Sequence, residues 1–318
     1  MADEFVLGLD GGGTKTLLAM VDRQGKVRLL GRGGGINPIS DPAWHDELAA
    51  ILAPARPFLP AVRQSVLGLP AYGEVAEVSA EQERAAATLL PDPVLVENDV
   101  HVAFDGAFAG QAGVLILAGT GSMAWGGDGA EHFIRVGGWG EGFGDDGSAW
   151  WIGHEAINRL SRVLDGRLAG DGFAAGILDA IGVTPQNAHA ALIGWYHGLR
   201  HPRAQVAALA RRVDELAERD DPMACALLAE AAAHLVAHVE AAGRRLGVAT
   251  PAWSYAGGVF RSRTVMRLMT GRKGPPQPPL LPPIGGALWR AARTAGWHPD
   301  ATWIGRLGVS LTEPGEEP

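Results

Sequence analysis

Asp10 is followed directly by Gly11, Gly12, Gly13, Thr14 and Lys15. Two further glycine turns, Gly119-Thr120-Gly121 and Gly257-Gly258, also close apolar runs. Glycine at such a place lets backbone N–H groups approach an anion with no side chain in the way. Donors alone would take any phosphate. A carboxylate beside them repels it unless a divalent cation stands between, so Asp10 points to Mg²⁺, bound directly or through water. A tight turn needs the same glycines, and one such turn alone decides nothing. Three of them favour nucleotide phosphates.

The elements around the first turn exclude the common phosphate loops. A P-loop or a dinucleotide fingerprint leads from a strand into a helix. Here residues 14–21 are β-rich and stop at the turn Asp22-Arg23-Gln24-Gly25. The glycines therefore form a hairpin tip. Strands are expected at residues 5–10, 14–21 and 27–30, a helix near 42–52, a strand at 65–70, a helix at 80–90, a strand at 93–99 and a helix at 100–108. The first third thus reads βββαβαβα, an α/β arrangement.

The segment "GVLILAGTGSMAWGGDGAEHFIRVGG" repeats the opening layout of strand, glycine turn, strand, turn and strand. Duplication is the economical explanation, and it predicts two similar domains facing one another. Their expected extents are residues 1–112 and 113–318, the second carrying a helical insertion over about 150–247 and a last helix, 285–295, that packs back on the first. Residues 273–283 are proline-rich and read as a loop. The polar tail ending in "EPGEEP" reads as frayed.

The totals exclude several classes. A net charge of −8 over 318 residues argues against nucleic acid or an anionic membrane as the main partner. Cys225, the only cysteine, rules out a disulfide framework, a multi-cysteine zinc site and a four-thiolate cluster from one chain. No secretory signal or spanning run is visible, so a cytoplasmic protein is expected. His197 with His201, and His234 with His238, have metal-compatible spacing, but no third ligand accompanies either pair.

Taken in order, "GLDGGGTKT", "END", "LAGTGS", "GGWGEGFGDDGSAWWIG" and "AGGVF" resemble the N-acetylglucosamine kinase and BadF/BadG-type family of the actin-like ATPase superfamily, over about residues 5–295. The resemblance implies an actin-like, ribonuclease H-like fold of two duplicated βββαβαβα domains clamping ATP. It also implies a homodimer. The dehydratase activators of this family hold an iron–sulfur cluster through cysteines of each subunit, and the ROK sugar kinases carry a cysteine-rich zinc motif. A chain with one cysteine fits neither, which leaves the amino-sugar kinase branch.

A sugar kinase needs a carboxylate to accept the proton of the attacking hydroxyl. By resemblance the base is Asp99, which ends one strand and begins a helix and is equally placed to cap that helix. The sugar set implied is Asn37, Asn98, Gly138 and Asp145, with Asn98 also readable as a metal-shell or turn residue. Asp146 stands where the family has glutamate, and it or Ser148 could cap the next helix. Gly11, Gly12, Gly13, Thr14, Gly119, Thr120, Gly121 and Ser122 are assigned to the phosphates and Gly257 and Gly258 to the adenosine. Lys15 assists the phosphates or points outward; Trp139 is either packing or a sugar platform.

The expected activity is ATP- and Mg²⁺-dependent phosphorylation of an amino-sugar, N-acetylglucosamine to its 6-phosphate. Glucosamine is the rival substrate, because Glu141 or Asp146 could meet a free ammonium. A sugar-responsive regulator or an ATPase without kinase activity is the rival of another class.

Overall fold

A computed structural model describes residues 4–13, 15–39, 41–130 and 132–312. The chain divides into two units, Met1–Gln111 with Pro278–Pro318, and Ala112–Gln277. The C-terminal segment from Pro278 therefore groups with the first unit, whereas the sequence reading set its boundary once, at 112/113.

The first unit opens with β1 (Phe5–Gly11), β2 (Thr16–Asp22) and β3 (Val27–Gly33). α1 (Trp44–Leu52), a 3₁₀ segment, β4 (Val62–Leu69), α2 (Ala76–Leu89), β5 (Val94–Asn98) and α3 (Asp99–Phe108) follow. The sheet order is β3-β2-β1-β4-β5, with β1 antiparallel to β2 and parallel to β4. Period-two alternation sorts β1 between two cores. Leu7 and Leu9 join Leu18, Met20, Leu67 and the helices α1 and α2. Val6 faces the other way, with Val66 and Val102.

The second unit repeats the meander as β6 (Gly113–Ala118), β7 (Ser122–Gly127) and β8 (Phe133–Gly137). Its helices are α4 (Ala149–Leu164), α5 (Asp171–Ala180), α6 (Ala188–His197), α7 (Pro202–Ala217) and α8 (Pro222–Arg245), before β9 (Trp253–Ala256) and α9 (Arg263–Lys273). Among the described residues its sheet has four strands, β8-β7-β6-β9. α8 is long and apolar enough to cross a membrane by length and composition. Leu227, Leu228, Leu235 and Val239 nevertheless bury it in the core of its unit.

α10 (Pro283–Thr294) and α11 (Ala301–Thr312) complete the first unit. A Cβ on Gly8 would stand 3.0 Å from Leu288, so glycine at that position lets α10 lie directly on β1. α11 falls where the sequence reading placed a polar tail. Its Trp303 and Leu307 are buried beside Trp297 and Leu288, and two apolar anchors suffice to dock it. The final "EPGEEP" lies outside the described residues.

Candidate active site

Asp10 shares the β1 face of Val6, the face covered by α3 and α10. Burial pushes its pKa up to about 6, and Lys15 nearby works in the opposite direction. Asp99 begins α3 and is half-buried. Burial, then the charges of Asp10 and Glu74, push its pKa up to about 7. The structure thus brings Asp10 and Asp99 together and adds Glu74, which the sequence reading did not single out. Glu74 is exposed on the turn after β4, where nothing in the local pattern marks it.

The cap of α3 is Asn98. Its Oδ1 accepts from the Val100 N–H at 2.9 Å, and its Nδ2 donates to the Tyr72 carbonyl at 2.8 Å. Both polar ends of this buried side chain are engaged, so Asn98 holds the β4–α2 turn against the start of α3. Asp99 Oδ1 also accepts from Val100 N, at 2.9 Å, and its second oxygen remains for chemistry.

Below this edge lies a buried ion network. Arg290 of α10 reaches Glu97 at 2.7 Å and Asp105 at 3.2 Å, and His101 Nδ1 is 2.8 Å from Glu97. Burial raises Glu97, but the bonds from His101 and Arg290 outweigh it and hold its pKa below the usual value. Burial keeps Asp105 up at about 6 despite His101 and Arg290. The network pins the root of α3, and hence Asp99, to a helix from the far end of the chain.

The hairpin tip has its own scaffold. Gly12 N donates to Lys15 O, and Ile36 N donates to Gly12 O, both at 3.0 Å. Thr16 Oγ donates to Gly34 O at 2.8 Å. A Cβ on Gly11 would come within 2.6 Å of Ile36, so glycine there admits the loop that carries Asn37. Asn37 Oδ1 accepts from Ile39 N at 2.9 Å; among the described residues its Nδ2 makes no bond. Gly13 and Lys15 are exposed, and Thr14 lies outside the described residues.

In the second unit, Gly119 N donates to Gly121 O at 2.9 Å, while Ala149 N and Trp150 N donate to the carbonyls of Gly119 and Thr120. The Gly-Thr-Gly turn therefore rests on the start of α4, which Ser148 caps through the Trp151 N–H at 3.1 Å. Ser122 is buried and its hydroxyl donates to the Asp146 carbonyl at 2.8 Å, leaving exposed Thr120 as the outward hydroxyl. Gly138 has φ +73, and Met123 fills the place a Cβ would take.

Asp145 is only 3% exposed. It accepts from Ser122 N at 3.1 Å and from Arg203 Nη2 at 2.6 Å. Arg203 Nε is also 2.6 Å from Glu141. The sequence assigned Asp145 to sugar hydroxyls; the structure gives each oxygen a protein partner and reveals Arg203, 58 positions away, as one of them. Trp139 is 64% exposed with the Arg135 guanidinium over its ring, so it is not core. Trp150 stacks on His154, and His238 Nδ1 lies 2.8 Å from the His234 carbonyl.

Gly257 has φ +104, and a Cβ there would collide with the Ala118 carbonyl. Gly258, with Ala149, Ala207, Arg211, Asp214 and Ser262, lines a cavity of about 720 Å³, the size of a nucleoside site. It is open beside the Gly257-Gly258 turn and lies wholly within the second unit.

Among the described residues no cluster of three metal-ligating side chains exists. Mg²⁺ does not require one, because it keeps several waters and binds through one or two carboxylates plus phosphates. Asp10 and Asp99, both raised by burial, with the Asp10 charge adding to the rise of Asp99, are an all-oxygen set that fits such an ion.

The chain matches the BadF/BadG/BcrA/BcrD ATPase family over residues 7–289. It is 26% identical over 246 residues to an N-acetylmuramic acid/N-acetylglucosamine kinase of Clostridium acetobutylicum, covering 75% of this chain and 79% of that one. Its fold is like that of a provisionally assigned N-acetylglucosamine kinase from Chromobacterium violaceum, with TM-score 0.73, 24% identity and coverage of 90% and 98%. A second provisional N-acetylglucosamine kinase, from Porphyromonas gingivalis, gives TM-score 0.69 at 20% identity, covering 91% and 99%.

Proposed function

This chain belongs to the BadF/BadG/BcrA/BcrD ATPase family, and we propose that within it the protein is an ATP-dependent kinase of an amino-sugar, N-acetylglucosamine giving the 6-phosphate. The observation that carries this reading is the pairing of Asp10 and Asp99 on one sheet edge, beside the loop of Asn37. The naming of the Clostridium acetobutylicum relative supports the substrate class.

Asp99 takes the proton of the attacking hydroxyl. Its raised proton affinity suits a general base working near neutral pH. The Nδ2 of Asn37 donates to a sugar oxygen, and Asp145 keeps a lone pair on each oxygen for sugar hydroxyls. The amides of Gly11, Gly12 and Gly13 and of Gly119, Thr120 and Gly121 receive phosphate oxygens, with Lys15 adding positive charge. The cavity beside Gly258 receives the nucleoside. Asp10 would hold Mg²⁺, which would supply neutralisation of the phosphate charge when bound.

One observation favours glucosamine as the alternative acceptor. The Glu74 charge felt by Asp99 is an added carboxylate of the kind a free ammonium needs.

A coupled ADP-release assay with Mg·ATP tests the reading. Its panel holds N-acetylglucosamine, glucosamine, N-acetylmannosamine, N-acetylmuramic acid and glucose, with a no-sugar control. Release stimulated by N-acetylglucosamine is expected. A preference for glucosamine selects the alternative, and release indifferent to every sugar moves the protein to the ATPase-regulator class.

A further inference from the structure

Asp145 sits at φ +59, a left-handed conformation that few non-glycine residues adopt and that aspartate tolerates better than most. Surrounding contacts must hold it there. Its carbonyl accepts from Ser148 N at 3.0 Å, its Oδ1 accepts from Ser122 N, and its Oδ2 takes the Arg203 guanidinium. A Cβ on Gly121 would stand 2.7 Å from Asp145 Oδ1 and 2.9 Å from Arg203 Nη2. Glycine at 121 is therefore demanded by this ion pair as much as by any phosphate.

Arg203 lies in the first turn of α7, directly after Pro202. Its Nη2 donates to Asp145 and its Nε lies 2.6 Å from the Glu141 carboxylate as an ion pair, and so it ties the glycine-rich loop 137–147 to the Gly-Thr-Gly turn. The same helix runs 16 residues in all, to Ala217. Farther along, Ala207, Arg211 and Asp214 line the cavity beside Gly258. One rigid element thus runs from the Asp145 carboxylate to the cavity wall, roughly 16 Å over the eleven residues from Arg203 to Asp214 at 1.5 Å each.

We propose that Arg203 is a positioning residue for the kinase reaction. It fixes the Asp145 carboxylate against the Gly119-Thr120-Gly121 turn, and through α7 ties it to the wall of the nucleoside cavity. The role of Asp145 toward the sugar rests on the function proposed above; the clamp itself does not. The guanidinium suits the place because its planar array of donors bonds Asp145 through Nη2 while Nε keeps its charge against Glu141.

The test compares wild type with Arg203→Ala, Arg203→Lys and Arg203→Gln in two arms. In steady-state kinetics, Arg203→Ala is expected to raise the sugar KM by about 10–100-fold, the scale of a charge-assisted bond. The KM for ATP and kcat should move by less than about threefold. Arg203→Lys should recover part of the sugar KM and Arg203→Gln little. In hydrogen exchange, the Ser122 amide should lose protection in Arg203→Ala while the α8 core does not.

A sugar KM that stays unchanged, or that falls because the guanidinium had been competing for Asp145, overturns the proposal. Unchanged Ser122 protection overturns it as well. If Arg203→Ala does not fold, the lysine and glutamine variants carry both arms. If wild type releases no ADP in response to any sugar, the proposed function fails, and the exchange arm alone decides for or against the clamp.

Discussion

Asp10 and Asp99 stand at the ends of β1 and β5 with only β4 between them, in a sheet where β1 and β5 each run parallel to β4. Asp10 lies level with Glu97 across Gly68, so two strand spacings and a two-residue offset put the Asp10 and Asp99 backbones roughly 12 Å apart. That gap suits two side chains reaching toward a common ligand while still feeling each other's charge. Gly68 in the intervening strand leaves room for Val102 of α3, which would otherwise meet its Cβ.

Replacing Asp99 by Asn or Ala should lower kcat by about 10²–10⁴-fold, the usual contribution of a positioned base. Nucleotide affinity, measured by titration calorimetry with ADP, should stay within about threefold. Turnover that survives within about tenfold would remove Asp99 from the mechanism.

In metal-free protein, a carboxyl-carbon NMR titration should find Asp99 titrating near 7. Asp10→Asn should move that value down, because one of the two neighbouring negative charges is gone. The sign carries into stability. Between the ordinary 3.8 and about 7 the folded protein holds this proton more tightly than the unfolded chain does. Stability therefore falls as pH rises through that window. Asp99→Asn should accordingly raise Tm at pH 8 and have little effect on it below pH 4, the reverse of its effect on activity.

Arg290→Met should destabilise the protein by about 3–5 kcal/mol, since Glu97 and Asp105 would remain buried without their guanidinium. A shifted urea midpoint with an unchanged slope is the expected result. Arg290→Lys should recover little, because the native residue uses separate nitrogens for the two carboxylates.

Asn37→Ala should raise the sugar KM by about tenfold with kcat nearly unchanged, a loss of one ground-state bond. Asn37→Asp retains the acceptor for Ile39 N but loses the amide donor. If it behaves like wild type, the Nδ2 assignment is wrong.

The first sheet was legible because its central strands are short apolar runs, buried on both faces, and its turns are marked by Asp and Gly. The structure is what sends Leu7 and Leu9 to one core and Val6 to the other. The pairing of Asp10 with Asp99 was legible only through motif order, since nothing local says that the two meet. Asn98 and Asp99 illustrate a limit: either can cap a helix, and only coordinates show that Asn98 spends both polar ends on backbone. Arg203 left no trace, because a lone arginine after Pro202 looks like any solvated helix start. α11 was missed for a similar reason, its docking depending on Trp303 and Leu307 amid exposed neighbours.

The first unit is assembled from both ends of the chain, and the second is one uninterrupted stretch inserted into it. On the ribosome the second unit is complete by Gln277, while β1 must wait for Leu288 to cover Gly8 and Glu97 must wait for Arg290. The earliest-made strand is thus among the last to be finished. A chain cut short before α10 leaves Glu97 and Asp105, at the root of α3, without the Arg290 guanidinium. The root of α3 is therefore anchored only once α10 has emerged.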